Sequence, residues 1–199
     1  MELEYYIELA ESRMPRQLCF MKDKQILFIT NRNEMTRYKV GHSYPEANSR
    51  ISGDAEVNIA ALEPKLNILL SVGDESGGVR FFSALPLKQR CSLPSQSSPI
   101  RHIVWNPAII IKNKKDSHEC ALLTATKEKA EARLWCMNVH GMSPSVKLPV
   151  ISLEEPVSQA IFHPKGTHLA ISHGSCVTLI QLRDVTRRDL RAEGEVVKM

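Results

Sequence analysis

The sequence has no long apolar run. Leu, Ile and Val recur in short clusters, none near the roughly 20 consecutive apolar residues that a membrane-spanning helix needs, which argues against such a span. Nor does it open like a secretory precursor. Met1-Glu2-Leu3-Glu4 is acidic where a signal peptide is basic, and no small-residue cleavage site follows an apolar core. Cysteines are few and unpaired: Cys19, Cys91, Cys120, Cys136 and Cys176 form an odd set without paired spacing, and no Asn-x-Ser/Thr acceptor occurs. A reducing compartment, cytoplasmic or nuclear, is the expectation. Aromatic residues make up only 6% of the 199, yet apolar residues in total reach 43%, ample for the core of one domain. A strong charge of one sign is also missing. The net charge is +4, with basic residues spread out except at Arg183, Arg187, Arg188 and Arg191, a cluster that a solvated tail explains as well as nucleic acid does.

Catalytic signatures are absent too. Nucleophilic catalysis needs Ser or Cys beside a base held by a third group, and no Gly-x-Ser-x-Gly or Cys/His arrangement is found. Ser175-Cys176 reads as packing at a turn, and Cys19 and Cys136 fall in strands where Cys acts as a small hydrophobe. Gly73-Asp-Glu-Ser-Gly-Gly78 is glycine-rich, but strands flank it on both sides, so it lacks the helix N-terminus that cradles phosphate and reads as a hairpin turn. His102, His163, His168 and His173 do not converge in sequence. His163 precedes a turn proline where Ser or Asn would serve, and His168 opens a strand. His118-Glu-Cys120 is the best local ligand pair, without a second pair at finger-like spacing. The expectation is therefore no catalytic residue, no metal ligand and no cofactor.

What is present is a repeat. Val57-Asn-Ile-Ala-Ala-Leu-Glu-Pro64, Ile100-Arg-His-Ile-Val-Trp-Asn-Pro107 and Val157-Ser-Gln-Ala-Ile-Phe-His-Pro164 share a branched residue, a large apolar residue five places on, and proline at seven. Pro15-Arg-Gln-Leu-Cys-Phe-Met-Lys22 is a weaker fourth copy with Lys in place of Pro. The anchors Lys22, Pro64, Pro107 and Pro164 are spaced by 42, 43 and 57 residues. The polar insertion 111 to 119, Ile-Lys-Asn-Lys-Lys-Asp-Ser-His-Glu, lengthens the last spacing. Residues 122 to 135 align without gaps to 69 to 82, and 169 to 182 to 27 to 40. Each copy gives three strands of period-two character, and a fourth candidate, such as Lys88 to Leu93 or Val146 to Leu153, lies between copies. Trp105 and Trp135 occupy the positions of Leu62 and Phe82 and read as core.

This pattern, followed by a Leu/Ala-Ser/Thr strand and a Val-Arg-Phe-Phe or Arg-Leu-Trp strand, resembles the WD40-repeat β-propeller family over roughly residues 14 to 183. The resemblance implies an all-β fold of about four four-stranded blades, with units near 14–52, 53–94, 95–153 and 154–183 inside a propeller segment 1–183, and a charged C-terminal tail at 184–199. It departs from the family pattern in several places. The Trp-Asp ending appears as Phe82-Ser83, Trp135-Cys136 and Ile180-Gln181. Gly-His occurs once, at Gly41-His42, away from the usual offset. Asp74 or Glu75 could replace the structural Asp in the second unit alone. No Asp-His-Ser/Thr-Trp network is expected in any unit, so apolar packing is expected to hold the blades.

Rings of this family close with about seven blades, so four units imply an incomplete ring, the other readings being a closed four-bladed ring or part of a longer propeller. Glu4 to Leu9 alternates enough to form an outer strand with Tyr5 and Ile7 on one layer, whereas Arg183 to Glu195 shows no strand pattern. An open ring exposes apolar faces and unpaired amides that invite a partner chain. The function so implied is a non-enzymatic scaffold that binds other proteins in a multi-subunit complex, without a small-molecule substrate. Contacts are expected at Tyr5 and Ile7 and on the insertion at Lys112, Lys114, Lys115 and His118, because loops beyond the repeat often face partners. The alternative is a nucleic-acid or anionic-surface binder using the same lysines and the Arg183 to Arg191 cluster, which salt-dependent affinity for polyanions would reveal.

Overall fold

The computed structural model describes residues 15–22, 24–30, 33–42, 44–108, 111–112, 118–182 and 193–198, with backbone alone for 111–112, 118, 145–149 and 193–198. Every element among them is a strand or a turn. Sheet 1 holds β1 (Pro15–Met21), β2 (Gln25–Thr30), β3 (Glu34–Lys39) and β4 (Ala47–Arg50). Sheet 2 holds β5 (Val57–Leu62), β6 (Leu69–Asp74), β7 (Val79–Ala84) and β8 (Leu87–Leu93). Sheet 3 holds β9 (Ile100–Trp105), β10 (Ile111–Lys112), β11 (His118–Thr126), β12 (Glu131–Asn138) and β13 (Ser143–Ser152). Sheet 4 holds β14 (Val157–Phe162), β15 (His168–His173), β16 (Cys176–Gln181) and β17 (Glu193–Lys198). All pairings are antiparallel meanders, and the first strands of the sheets pack in chain order, β1 on β5, β5 on β9 and β9 on β14.

The turns explain why the copies repeat. In three copies the residue before the anchor proline caps the first hairpin by accepting the N–H two residues on. Glu63 Oε1 takes Lys65 N at 2.6 Å, Asn106 Oδ1 takes Ala108 N at 2.9 Å, and His163 Nδ1 takes Lys165 N at 3.1 Å. His163 is thus a turn cap in the place of an Asn. Asp74, buried, holds the β6–β7 turn: its Oδ1 accepts the N–H groups of Ser76 and Gly78, each at 2.9 Å, and its carboxylate pairs with Arg80 at 2.9 Å. Gly77 has φ +81° there, and a Cβ on it would run into the Gln96 carbonyl. The glycine-rich stretch is the expected hairpin, with Asp74 in the structural role.

Three local expectations change. The insertion is partly strand: Ile111 pairs with Glu119 and Lys112 with His118, because β9 covers β11 only from Leu122 onward and leaves its first half to β10. The segment after Leu182, which shows no strand pattern in sequence, supplies β17, paired with β16 from Gln181↔Glu193 to Cys176↔Lys198. An outermost strand bonds one neighbour through its backbone and needs no apolar run, so Glu193 and Glu195 do not forbid it. A shortened polar network also stands in sheet 3. Trp135 Nε1 donates to Thr124 Oγ1 at 2.9 Å, and Gln96 Nε2 donates to the same oxygen at 3.0 Å, all three side chains buried. The four-residue network is not formed among the described residues, and Gln96 supplies the donor that an imidazole would supply in it.

Three apolar clusters lie between successive sheets, built around Leu70 and Phe82, around Phe81, Trp105 and Trp135, and around Leu134 and Phe162. Trp105 adds a polar link to its packing. Its Nε1 donates to Ser71 Oγ at 2.9 Å and Ala61 O at 3.2 Å, both in sheet 2, while its ring meets Phe81 edge-on at 6.1 Å. Trp105→Ala should therefore destabilise the protein by about 3 to 5 kcal/mol. Trp105→Phe, which loses the hydrogen bonds and part of the ring volume but keeps an aromatic in place, should cost about 1 to 3 kcal/mol, both read from urea unfolding.

Candidate interaction surface

Successive residues of a strand point to opposite faces, so each first strand of a sheet serves two joints at once. At one position Leu62, Trp105 and Phe162 pack back against the preceding sheet, with Ala60, Ile103 and Ala160 two residues earlier doing the same. At the alternate position Cys19, Ala61 and Val104 pack forward against the following sheet. The rule predicts what the ends of the row must show. In sheet 1 the backward residues are Leu18 and Phe20, and they are 65% and 80% exposed. In sheet 4 the forward residues are Ile161 on β14 and Leu179 on β16, and they are 60% and 40% exposed. Leu134, at the place of Leu179 in sheet 3, is buried. Around Ile161 and Leu179 lies an open apolar groove walled by His163, Pro164, His168 and Ala170.

Polar side chains cross the joints in the same direction. Gln17 Nε2 donates to Asn58 O at 3.1 Å, Asn58 Nδ2 to Ile100 O at 3.3 Å, and His102 Nε2 to Val157 O at 3.0 Å. Each first strand thus grips the backbone of the next. Because a carbonyl only accepts, Nε2 of His102 carries the proton. Outside this series Arg37 Nη1 reaches Ala84 O at 2.7 Å and Asn106 Nδ2 reaches Gly166 O at 3.0 Å. Gln159 occupies the place of Gln17 and His102 in sheet 4. Its side chain is exposed and meets no hydrogen-bond partner among the described residues.

Among the described residues no group of three or more His, Cys, Asp or Glu side chains is placed to hold a metal ion, and no helix is long and apolar enough to cross a membrane. The cysteines are free, and burial pushes the Cys120 thiol up to about 12 and Cys91 to about 11, far from a thiolate nucleophile. His102 belongs to a joint and His173 bonds Thr178 Oγ1 at 2.8 Å within its own hairpin. His163 and His168 lie edge to face at 6.2 Å, each with Nδ1 engaged in its own turn.

Of the contact residues expected from sequence, Lys112 and His118 are brought opposite each other in the β10–β11 register. Tyr5, Ile7, Lys114 and Lys115 lie outside the described residues, as do the candidate strand Glu4 to Leu9 and Arg183, Arg187, Arg188 and Arg191. Of the apolar faces and unpaired amides expected at an open end, the faces are the larger part: Leu18/Phe20 and Gln159/Ile161/Leu179 form two sheet faces, because sheets meet face to face here and not by sharing backbone edges.

No protein-family model and no curated protein matches the sequence. Solved structures do. A chain in the crystal structure of the mitotic checkpoint complex superposes with a TM-score of 0.64 at 12% identity, over 84% of this chain and 49% of that one. The crystal structure of the C-terminal WD40 domain of Sif2 superposes with a TM-score of 0.59 at 14% identity, over 80% of this chain and 41% of that one. The fold is that of a WD40-like β-propeller. The four sheets are its blades, and the chain spans less than half the length of either neighbour.

Burial in the joint between blades 3 and 4 lowers the pKa of His102 below its ordinary 6.5, with the bond to Val157 O opposing and Arg101 adding to the shift. A base whose folded pKa is depressed binds fewer protons folded than unfolded, so stability falls as pH drops from 6.5 through the folded value. The expected outcome is a Tm that declines from about pH 7 to about pH 5, with a shallower decline in His102→Gln, which keeps a donor but does not titrate there. An equal acid slope in both proteins would contradict this role. Native alkylation at mildly alkaline pH should likewise leave Cys120 unlabelled until denaturant is added.

Proposed function

We propose that this protein is a non-enzymatic scaffold of a multi-subunit protein complex, and that its assembly into that complex depends on the open faces of blades 1 and 4. One observation carries the reading: large apolar side chains are exposed at Phe20 and Ile161, whose equivalents in the other blades sit inside joints. An exposed apolar surface set among polar residues marks an association site, whereas singly scattered apolar residues do not. The polar grips reinforce it, since Gln159 occupies the place from which Gln17 and His102 each donate to a backbone carbonyl of the next blade. Burial raises the thiols of Cys19, Cys91 and Cys120, and His163 and His168 in the groove each have Nδ1 engaged in a turn.

The reading is tested by affinity capture from an extract of the source cells, followed by mass spectrometry. Wild-type protein should retain a defined set of proteins. Ile161→Asp and Phe20→Asp, which place a charge on faces that are exposed in the isolated chain, should fold normally and lose most of that set. Retention of the same proteins by both variants would overturn the assignment of the faces. Loss of binding to a polyanion column at moderate salt, with no protein captured, would favour the nucleic-acid alternative.

A further inference from the structure

We infer that the occupant of the blade 4 face is blade 1 of a second copy of this chain, so that two copies close one ring head to tail. This deepens the scaffold reading and rests on its assignment of the two open faces. The chain already contains the joint three times. In each case a forward face with a small or branched residue at the inner strand (Cys19, Ala61, Val104) receives a backward face led by a large one (Leu62, Trp105, Phe162). The two unfilled faces are the matching halves of a fourth such joint. Among the described residues Ile161 and Leu179 form a forward face without a successor, and Leu18 and Phe20 a backward face without a predecessor. Phe20 is the register equivalent of Trp105 and Phe162, so it is shaped for the groove beside Ile161, Pro164 and Ala170.

The polar half of the joint agrees. Gln17 and His102 each donate to a carbonyl near the start of the next inner strand, Asn58 O and Val157 O. In a second copy the start of β1, at Pro15 and Arg16, presents that carbonyl to Gln159. Size agrees as well. Two copies of the four described blades make eight. Eight blades lie at the upper end of the usual range of about 4 to 8. A head-to-tail interface gives a ring if its rotation closes and a filament if it does not, and two half-rings related by a twofold axis close with both joints equivalent.

The experiment uses the purified chain in native mass spectrometry and sedimentation velocity at micromolar concentration. A dimer is expected, with no trimer or higher species. Phe20→Asp and Ile161→Asp each bury an unpaired charge in both joints of the ring, so each should raise the dimer dissociation constant on the order of a hundredfold or more. Mixing the two variants, one of them isotope-labelled, should restore a mixed dimer, because one joint of that pair is wholly wild type. Circular dichroism of each variant checks that the fold is kept. A monomer at all concentrations overturns the inference, as does a dimer indifferent to both substitutions, or a ladder of longer oligomers. A monomer whose captured partners are still lost on Ile161→Asp would refute the second copy and leave the scaffold reading standing. A dimer that captures nothing else would do the reverse.

Discussion

A sheet that is apolar on both faces must be covered on both, and this constraint organises the whole molecule. In a two-layer sandwich each sheet turns one face to water, and its strands alternate between apolar and polar residues. Here β6 and β7 are buried along almost their entire length, and β11 and β12 nearly so, which leaves no face for solvent. Such sheets can only be stacked in a row. A row has two ends, and every propeller has to dispose of them by bending the row into a ring. The exposed residues at Leu18, Phe20, Ile161 and Leu179 are thus a consequence of the same patterning that makes the three internal joints.

Apolar packing alone would let neighbouring sheets slide, because dispersion contacts have little directional preference. The polar grips supply register. Gln17, Asn58 and His102 each spend a side-chain donor on one carbonyl of the next inner strand, and the turn caps Glu63, Asn106 and His163 fix where that strand ends. Each such bond adds only about 1 kcal/mol net, but a slipped register would lose all three at once and leave half-buried donors unpaired, at up to about 1 kcal/mol more apiece. This distributed wiring stands in for the fuller network of regular repeats. Only blade 3 keeps a Trp-to-Thr chain, and there Gln96 completes it from the linker after β8.

Much of this was legible in the sequence because it is local. The anchor prolines, the period-two runs and the glycine-rich turn around Asp74 are written within windows of about ten residues, and they yielded the sheets, their order and the buried tryptophans. What was missed depends on partners far along the chain. Gln96 meets Thr124 across 28 residues and Gln17 meets Asn58 across 41, with no motif marking either. β17 was missed for another reason: an outer strand is defined by the backbone of β16, and its charged residues give no apolar signal. The exposed faces were hidden in plain view. Ile161 and Phe20 look in sequence like the core residues they are equivalent to, and only the absence of a neighbouring sheet changes their meaning.

That absence also decides what kind of association the chain can make. Unpaired strand edges would invite strand addition, in which backbone bonds supply the affinity and almost any extended chain can join. The outer strands β4, β8, β13 and β17 are such edges, yet they sit on the rim of each blade, where β4 meets β8 and β8 meets β13, away from the inner contacts of β1, β5, β9 and β14. The open surfaces at the ends of the row are side-chain faces instead. Packing of faces demands matched shape, with a large residue entering where a small one makes room, and a correctly placed carbonyl for each polar grip. The forward and backward faces differ in both respects, so neither is complementary to itself. Association by these faces is therefore directional, and a directional joint with a fixed rotation per blade leads toward closure of the ring and away from indiscriminate aggregation.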